Sequence, residues 1–179
     1  MDRRTRDCPA ALERRLLMIP ENQRKQVEAQ IMESYTSMYR LAYTYVKNPD
    51  DAMDIVQESV CKAISSSGEL RSKPALKSWL CRIVVNTALD FLRRRSRETV
   101  SEAPPEEGRE DVYRDLDTLR ALDVLDEKER TVIVLRFFED LKLQDIADVT
   151  GDNLNTVKTI LYRSLKKLKI QLTEGASAS

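Results

Sequence analysis

Three carboxylates stand at helical spacing in the segment DAMDIVQE: Asp51, Asp54 and Glu58, with Gln57 beside them. Steps of three and four put them on one helix face. Alone they repel one another, so a cationic partner would resolve the arrangement. The other chemistry open to such a group is acid–base work or metal binding. The chain has no histidine, which removes the commonest general base and the commonest metal ligand. Cys8, Cys61 and Cys81 lack CxxC-like spacing and indicate neither a zinc site nor a disulfide framework. No catalytic residue, metal or cofactor is expected, and the plain alternative for the carboxylates is solvated surface charge.

A second constellation lies on WLCRIVVNTALDFLRRR, from Trp79 to Arg95. Trp79 reads as core. Asn86 sits mid-helix, where it can cap nothing, so it faces solvent or reads a base. Arg93, Arg94 and Arg95 form a cationic run suited to phosphates. The loop from Gly68 to Ala75 beside this helix could hold an unstacked base.

The third is LQDIADVTGDNLNTVKTILYRSLKKLK, residues 143–169. Ala147, Gly151 and Val157 have the spacing of a helix-turn-helix: a small residue for close approach, a glycine for the turn, a β-branched residue beneath it. Asn155 is expected to cap the second helix, with Val157, Leu161, Leu165 and Leu168 inward. Lys158, Thr159, Tyr162 and Arg163 are then outward, where such a helix meets base edges and phosphates. Lys166, Lys167 and Lys169 extend the basic face. The competing reading is an αα-hairpin with a lysine-rich outer side.

Net charge is zero, from 30 basic and 30 acidic side chains, but the charges are segregated. Residues 71–97 carry eight basic groups, among them Arg71, Lys73 and Lys77, and one acidic group, Asp90. Residues 98–117 carry eight acidic groups, and residues 156–169 five basic groups and no acidic one. Two basic blocks around an acidic one fit nucleic-acid contact at two places, or ordinary solvated helix faces. No apolar run reaches the length of a membrane span or a signal-peptide core, so a cytoplasmic chain without membrane insertion is expected.

The elements that must position these groups read as helices throughout, and no segment alternates as a strand does. Val27, Ile31, Tyr35, Met38, Ala42 and Tyr45 make one buried stripe. Asn48-Pro49 opens a second helix that buries Ala52, Ile55, Val56, Val60, Ala63 and Ile64 and stops near Ser65-Ser66-Ser67-Gly68. Pro74 opens a third, with Leu76, Leu80, Ile83, Val84 and Phe91 inward. Helical pattern resumes at Leu116, Leu119, Leu122 and Leu125. Asp126 and Glu129 then form a capping-box start for a helix burying Val132, Ile133 and Phe137. The expected organisation is all-α: an N-terminal extension at 1–21, a helical domain at 22–95, an acidic linker with Pro104-Pro105 at 96–114, a helix-turn-helix domain at 115–172, and a tail at 173–179.

Taken together, DDAMDIVQESVCKAI, KSWLCRIVVNTALDFLRRR and LDEKERTVIVLRFFEDLKLQDIADVTGDNLNTVKTILYRSLKKL resemble the extracytoplasmic-function, or group IV, RNA polymerase sigma factors. With the linker and the preceding helix, the resemblance covers about residues 27–172. It implies a non-enzymatic specificity subunit that directs core polymerase to promoters. Asp51, Asp54, Gln57 and Glu58 match the region 2 helix that docks on the clamp of the β′ subunit. The loop and helix carrying Arg71, Lys73, Lys77, Asn86, Arg93, Arg94 and Arg95 match the part that recognises and melts the −10 element of promoter DNA. Asn155, Thr156, Lys158, Thr159, Tyr162, Arg163 and Lys166 match the region 4 helix that enters the major groove at the −35 element. The resemblance also implies an anti-sigma partner, and a linker whose acidic charge mimics nucleic acid in the RNA exit path.

Departures from the family pattern include Asn155 for a frequent glycine, Lys142 for a frequent serine cap, and Ile160 for a common arginine, which leaves a DNA contact in doubt. Two alternatives stand beside this reading. A stand-alone helix-turn-helix regulator would dimerise and bind palindromic duplex DNA. A nucleic-acid enzyme using Asp51, Asp54 and Glu58 for metal would need a divalent cation.

Overall fold

Pro20 precedes the first helix and Glu21 favours its positive end; the backbone then stays helical from Glu21 to Val46 (α1). Lys47 ends it in the left-handed conformation, φ 51°, its N–H returning to Tyr43 O. Val27, Ile31, Met38 and Ala42 are buried, and Tyr35 and Tyr45 pack partly buried beside them. The computed structural model describes residues 20–69, 76–98 and 122–177. The expected N-terminal extension, but for Pro20 and Glu21, the opening of the third helix at Pro74, and most of the acidic linker lie outside them.

Helix α2 runs Pro49–Ser66. Asn48 caps it by accepting the Asp51 N–H at 3.0 Å, and Pro49 occupies its first position. Ala52, Ile55, Val56 and Ala63 are fully buried, with Ser59, whose hydroxyl is satisfied by Ile55 O at 2.7 Å. A 3₁₀ turn, Ser67–Glu69, comes next. Helix α3 spans Leu76–Glu98 and buries Leu80, Val84, Val85 and Ala88. It runs past the expected linker start at 96. Trp79 lies half-buried against the core. These three helices pack mutually.

The second body begins at Leu122–Leu125, a turn rather than a helix, with both leucines buried. Asp126 and Glu129 form the expected capping box of α4, Glu127–Ile133. The chain then widens into a π turn, Val134–Phe138. One wider turn shifts the helical phase of its own residues, so the expected burial of Phe137 fails: it is 57% exposed, while Phe138 packs partly buried.

Helix α5, Leu143–Thr150, ends at Gly151 with φ 73°, a left-handed position that glycine adopts without strain. Helix α6 spans Leu154–Ser177 and so continues beyond the expected end at 172. Its cap is Asn153, not Asn155: Asn153 Oδ1 accepts the Thr156 N–H at 2.8 Å. Its buried stripe is Val157, Ile160, Leu161 and Ser164, with Leu168 partly buried. Leu165, expected inward, is 38% exposed.

The two bodies pack against each other through α5 on α3 and α4 on α1. Arg130, almost fully buried, donates to Leu122 O, Leu125 O and, across the interface, Thr44 O at 3.0 Å. The Tyr45 and Thr131 hydroxyls lie 2.9 Å apart. Lys47 meets Asp123 at 2.7 Å. Glu139, fully buried, faces Arg40 at 3.3 Å and Lys77 at 3.5 Å, and Lys77 also donates to its backbone carbonyl at 2.6 Å. Arg40 stacks over Phe138 at 5.1 Å. Burial raises the pKa of Tyr45, to about 12, against the Thr131 hydrogen bond and with help from Glu127. Burial also raises that of Cys81 to about 12, Glu139 adding to it.

Candidate nucleic-acid interface

Helix geometry makes the outward face of α6 a single stripe. Asn155, Lys158, Thr159, Tyr162 and Lys166 share one helix face, each three or four residues from another of the set, and are exposed, Tyr162 by 71%. Thr159 satisfies its hydroxyl on Asn155 O at 2.9 Å. The capping by Asn153 leaves the Asn155 side chain available for other contacts. Ile160, where the family commonly has an arginine, lies on the opposite, buried face.

Arg163 and Thr156 lie to one side of the stripe. Arg163 Nε donates to Glu129 at 2.7 Å and its other end lies 3.7 Å from Asp126. Lys167 meets the same Glu129 carboxylate at 2.7 Å. Burial opposes ionisation of Glu129, but Lys167, the Asp126 N–H and Arg163 outweigh it and hold its carboxyl below the usual range. Glu129 thus joins the start of α4 to the middle of α6. Only its capping role was readable from sequence, because its cationic partners are 34 and 38 residues away.

On the first body, α2 and α3 run antiparallel. Asp51 pairs with Arg95, Glu58 with Arg94 at 2.8 Å, and Lys62 donates to Thr87 at 3.1 Å. Lys62 also meets Glu58 at 2.8 Å. Burial again works against the Glu58 carboxylate, yet Lys62 and Arg94 keep its pKa below the ordinary value. The expected acidic face is therefore a mixed groove, walled by Asp51, Asp54 and Glu58 on one side and Arg94 and Arg95 on the other, with Phe91 between. Asp54 and Gln57 are exposed. Asn86 is exposed on α3, and Arg93 pairs with Asp90 at 3.1 Å. Lys77 points into the interface with the second body. Arg71 and Lys73 lie outside the described residues.

A family model for sigma-70 region 2 matches residues 31–98, and one for sigma-70 region 4 matches residues 116–168. The chain is 51% identical over 148 residues to RNA polymerase sigma factor SigV of Bacillus subtilis, covering 80% of this chain and 89% of that one. This chain belongs to the extracytoplasmic-function RNA polymerase sigma factors. It is also 31% identical over 152 residues to the sigma factor SigE of Mycolicibacterium smegmatis, covering 78% of this chain and 59% of the relative. The fold matches that of sigma factor RpoE, solved with the anti-sigma factor NepR from Bartonella quintana, with a TM-score of 0.69 and 24% identity over 82% of this chain and 96% of that one. As a sigma factor the chain is a non-enzymatic subunit that directs transcription initiation. Among the described residues no helix is long and apolar enough to cross a membrane.

Proposed function

We propose that this sigma factor divides its work between the two faces described. The α2 face of Asp51, Asp54, Gln57 and Glu58 docks on a basic surface of core polymerase, the β′ clamp. Helix α3, through Asn86 and the Arg93–Arg95 run, holds the opened −10 strand: arginines on phosphate, asparagine on a base. The α6 stripe enters the major groove at the −35 element. The observation that carries this reading is that stripe, five polar or basic side chains in register on the exposed side of a helix-turn-helix. Lys77 contributes to DNA binding only once Glu139 releases it, so that contact requires the two bodies to part.

The cytoplasm is the site of action, and an anti-sigma factor is the regulating partner. The sigma factor RpoE, of this fold, was solved with the anti-sigma factor NepR, and CnrH, of the same fold, with the cytosolic domain of CnrY. The test is a permanganate footprint on promoter DNA in the polymerase complex. Asn86→Ala should change preference among −10 variants more than overall affinity. Removing Arg93, Arg94 and Arg95 should weaken all sequences alike. Normal opening and unaltered preference in both would remove α3 from this role.

A further inference from the structure

The carboxylates assigned to polymerase docking and the arginines assigned to DNA are each other's partners. Asp51 holds Arg95 and Glu58 holds Arg94, across the groove between α2 and α3. The pairs lie at the surface end of that groove: Arg94 and Glu58 side chains are 46% and 32% exposed, Arg95 and Asp51 33% and 22%. They are therefore accessible to a competing phosphate on one side and a competing cation on the other. Each carboxylate offers an arginine a pair of anionic acceptor oxygens, as a backbone phosphate does.

We infer that Asp51 and Glu58 act as an internal phosphate mimic, occupying Arg94 and Arg95 in the free chain. A basic surface docking on α2 takes over the carboxylates and frees the arginines for the DNA backbone. The two ligands then help each other to bind, and the coupling is reciprocal by necessity. The inference rests on the assignment of these two faces in the proposed function. A partly exposed ion pair of this kind shifts an equilibrium by roughly twofold to fivefold. Two in parallel give a graded release rather than an on–off lock.

The experiment uses the full chain without polymerase and a fluorescent poly-thymidine single strand at fixed low salt. Asp51→Asn with Glu58→Gln should tighten binding about fivefold or more, and Glu58→Gln alone by a smaller factor. A control with the same charge change on α1, Glu28→Gln with Glu33→Gln, should give a clearly smaller gain. Adding Arg94→Ala and Arg95→Ala to the first variant should abolish the gain. Conversely, Arg94→Ala with Arg95→Ala in the native background should strengthen binding to core polymerase. A thermal melt confirms that each variant folds. An absent gain, an equal gain in the control, or a gain that survives loss of the arginines overturns the inference, leaving the pairs as staples between two helices. Failure of the docking assignment appears separately, as unchanged polymerase affinity in the carboxylate variants.

Discussion

Arg163 donates to Glu129 at 2.7 Å and so ties the side of the DNA-facing helix to the start of α4. Its guanidinium fixes the angle of α6 as well as adding positive charge. Lys158, one turn earlier and fully on the exposed stripe, has no such duty among the described residues. The two cations should therefore behave differently. Lys158→Ala should leave the melting temperature unchanged and lower the salt dependence of promoter binding by about one phosphate contact. Arg163→Ala should lower stability by about 1 kcal/mol as well as weakening promoter use. Thermal melts alongside salt titrations separate them; identical behaviour of the two variants would contradict the assignment.

Glu129 should matter more than either partner. Its removal opens the capping box and leaves Arg163 and Lys167 without their shared carboxylate. Glu129→Ala should cost about 2–3 kcal/mol of stability, measured by chemical denaturation. A loss below about 0.5 kcal/mol, the range of ordinary surface changes, would show that the hub is not structural.

The contact between the two bodies centres on Glu139, buried between Arg40 and Lys77. Cys81 is buried beside it and serves as a reporter of opening. With Cys8 and Cys61 replaced by serine, Glu139→Ala should raise the rate of Cys81 labelling at pH 8 by about tenfold, since one lost buried pair is worth at least that factor. An unchanged rate would mean that the interface does not depend on this carboxylate.

Tyr45 and Cys81 predict the alkaline limb of the stability curve. Both are weak acids whose folded pKa, about 12, exceeds the ordinary values of 10.0 and 9.0. The unfolded chain ionises first, so their contribution is complete below about pH 9 and is lost as pH rises toward 12. Tyr45→Phe and Cys81→Ala should each flatten the decline. On the acid side the sign reverses. Glu58 and Glu129 have lowered pKa values, so their contribution is present above the ordinary 4.5 and lost as pH falls. Denaturation midpoints across pH check both limbs.

Features legible in the sequence were periodic and local. The α1 and α2 stripes, the Asn48 cap, the Asp126–Glu129 box and the Ala147–Gly151–Val157 turn all stand where spacing put them. The misses have local physical causes too. The π turn at Val134–Phe138 breaks the 3.6-residue phase that would bury Phe137. Helix α6 is capped by Asn153, and its buried face takes in Ile160 and Ser164 beside Val157 and Leu161 while Leu165 lies at the edge of that face. Ion pairs joining residues far apart in sequence, such as Glu58–Arg94 and Arg40–Glu139, leave no periodic signal. They were therefore invisible until the helices were set against one another.

Direction of core polymerase through the α2 face and the helix-turn-helix is open to a single measurement. Promoter-directed transcription with purified core polymerase tests it most directly. The native chain should produce specific initiation that core alone does not. Asp54→Lys with Glu58→Lys should abolish it while leaving the helical circular-dichroism spectrum intact. Equal transcript from core alone and core with the chain, or full activity in the charge-reversed variant, would contradict the account.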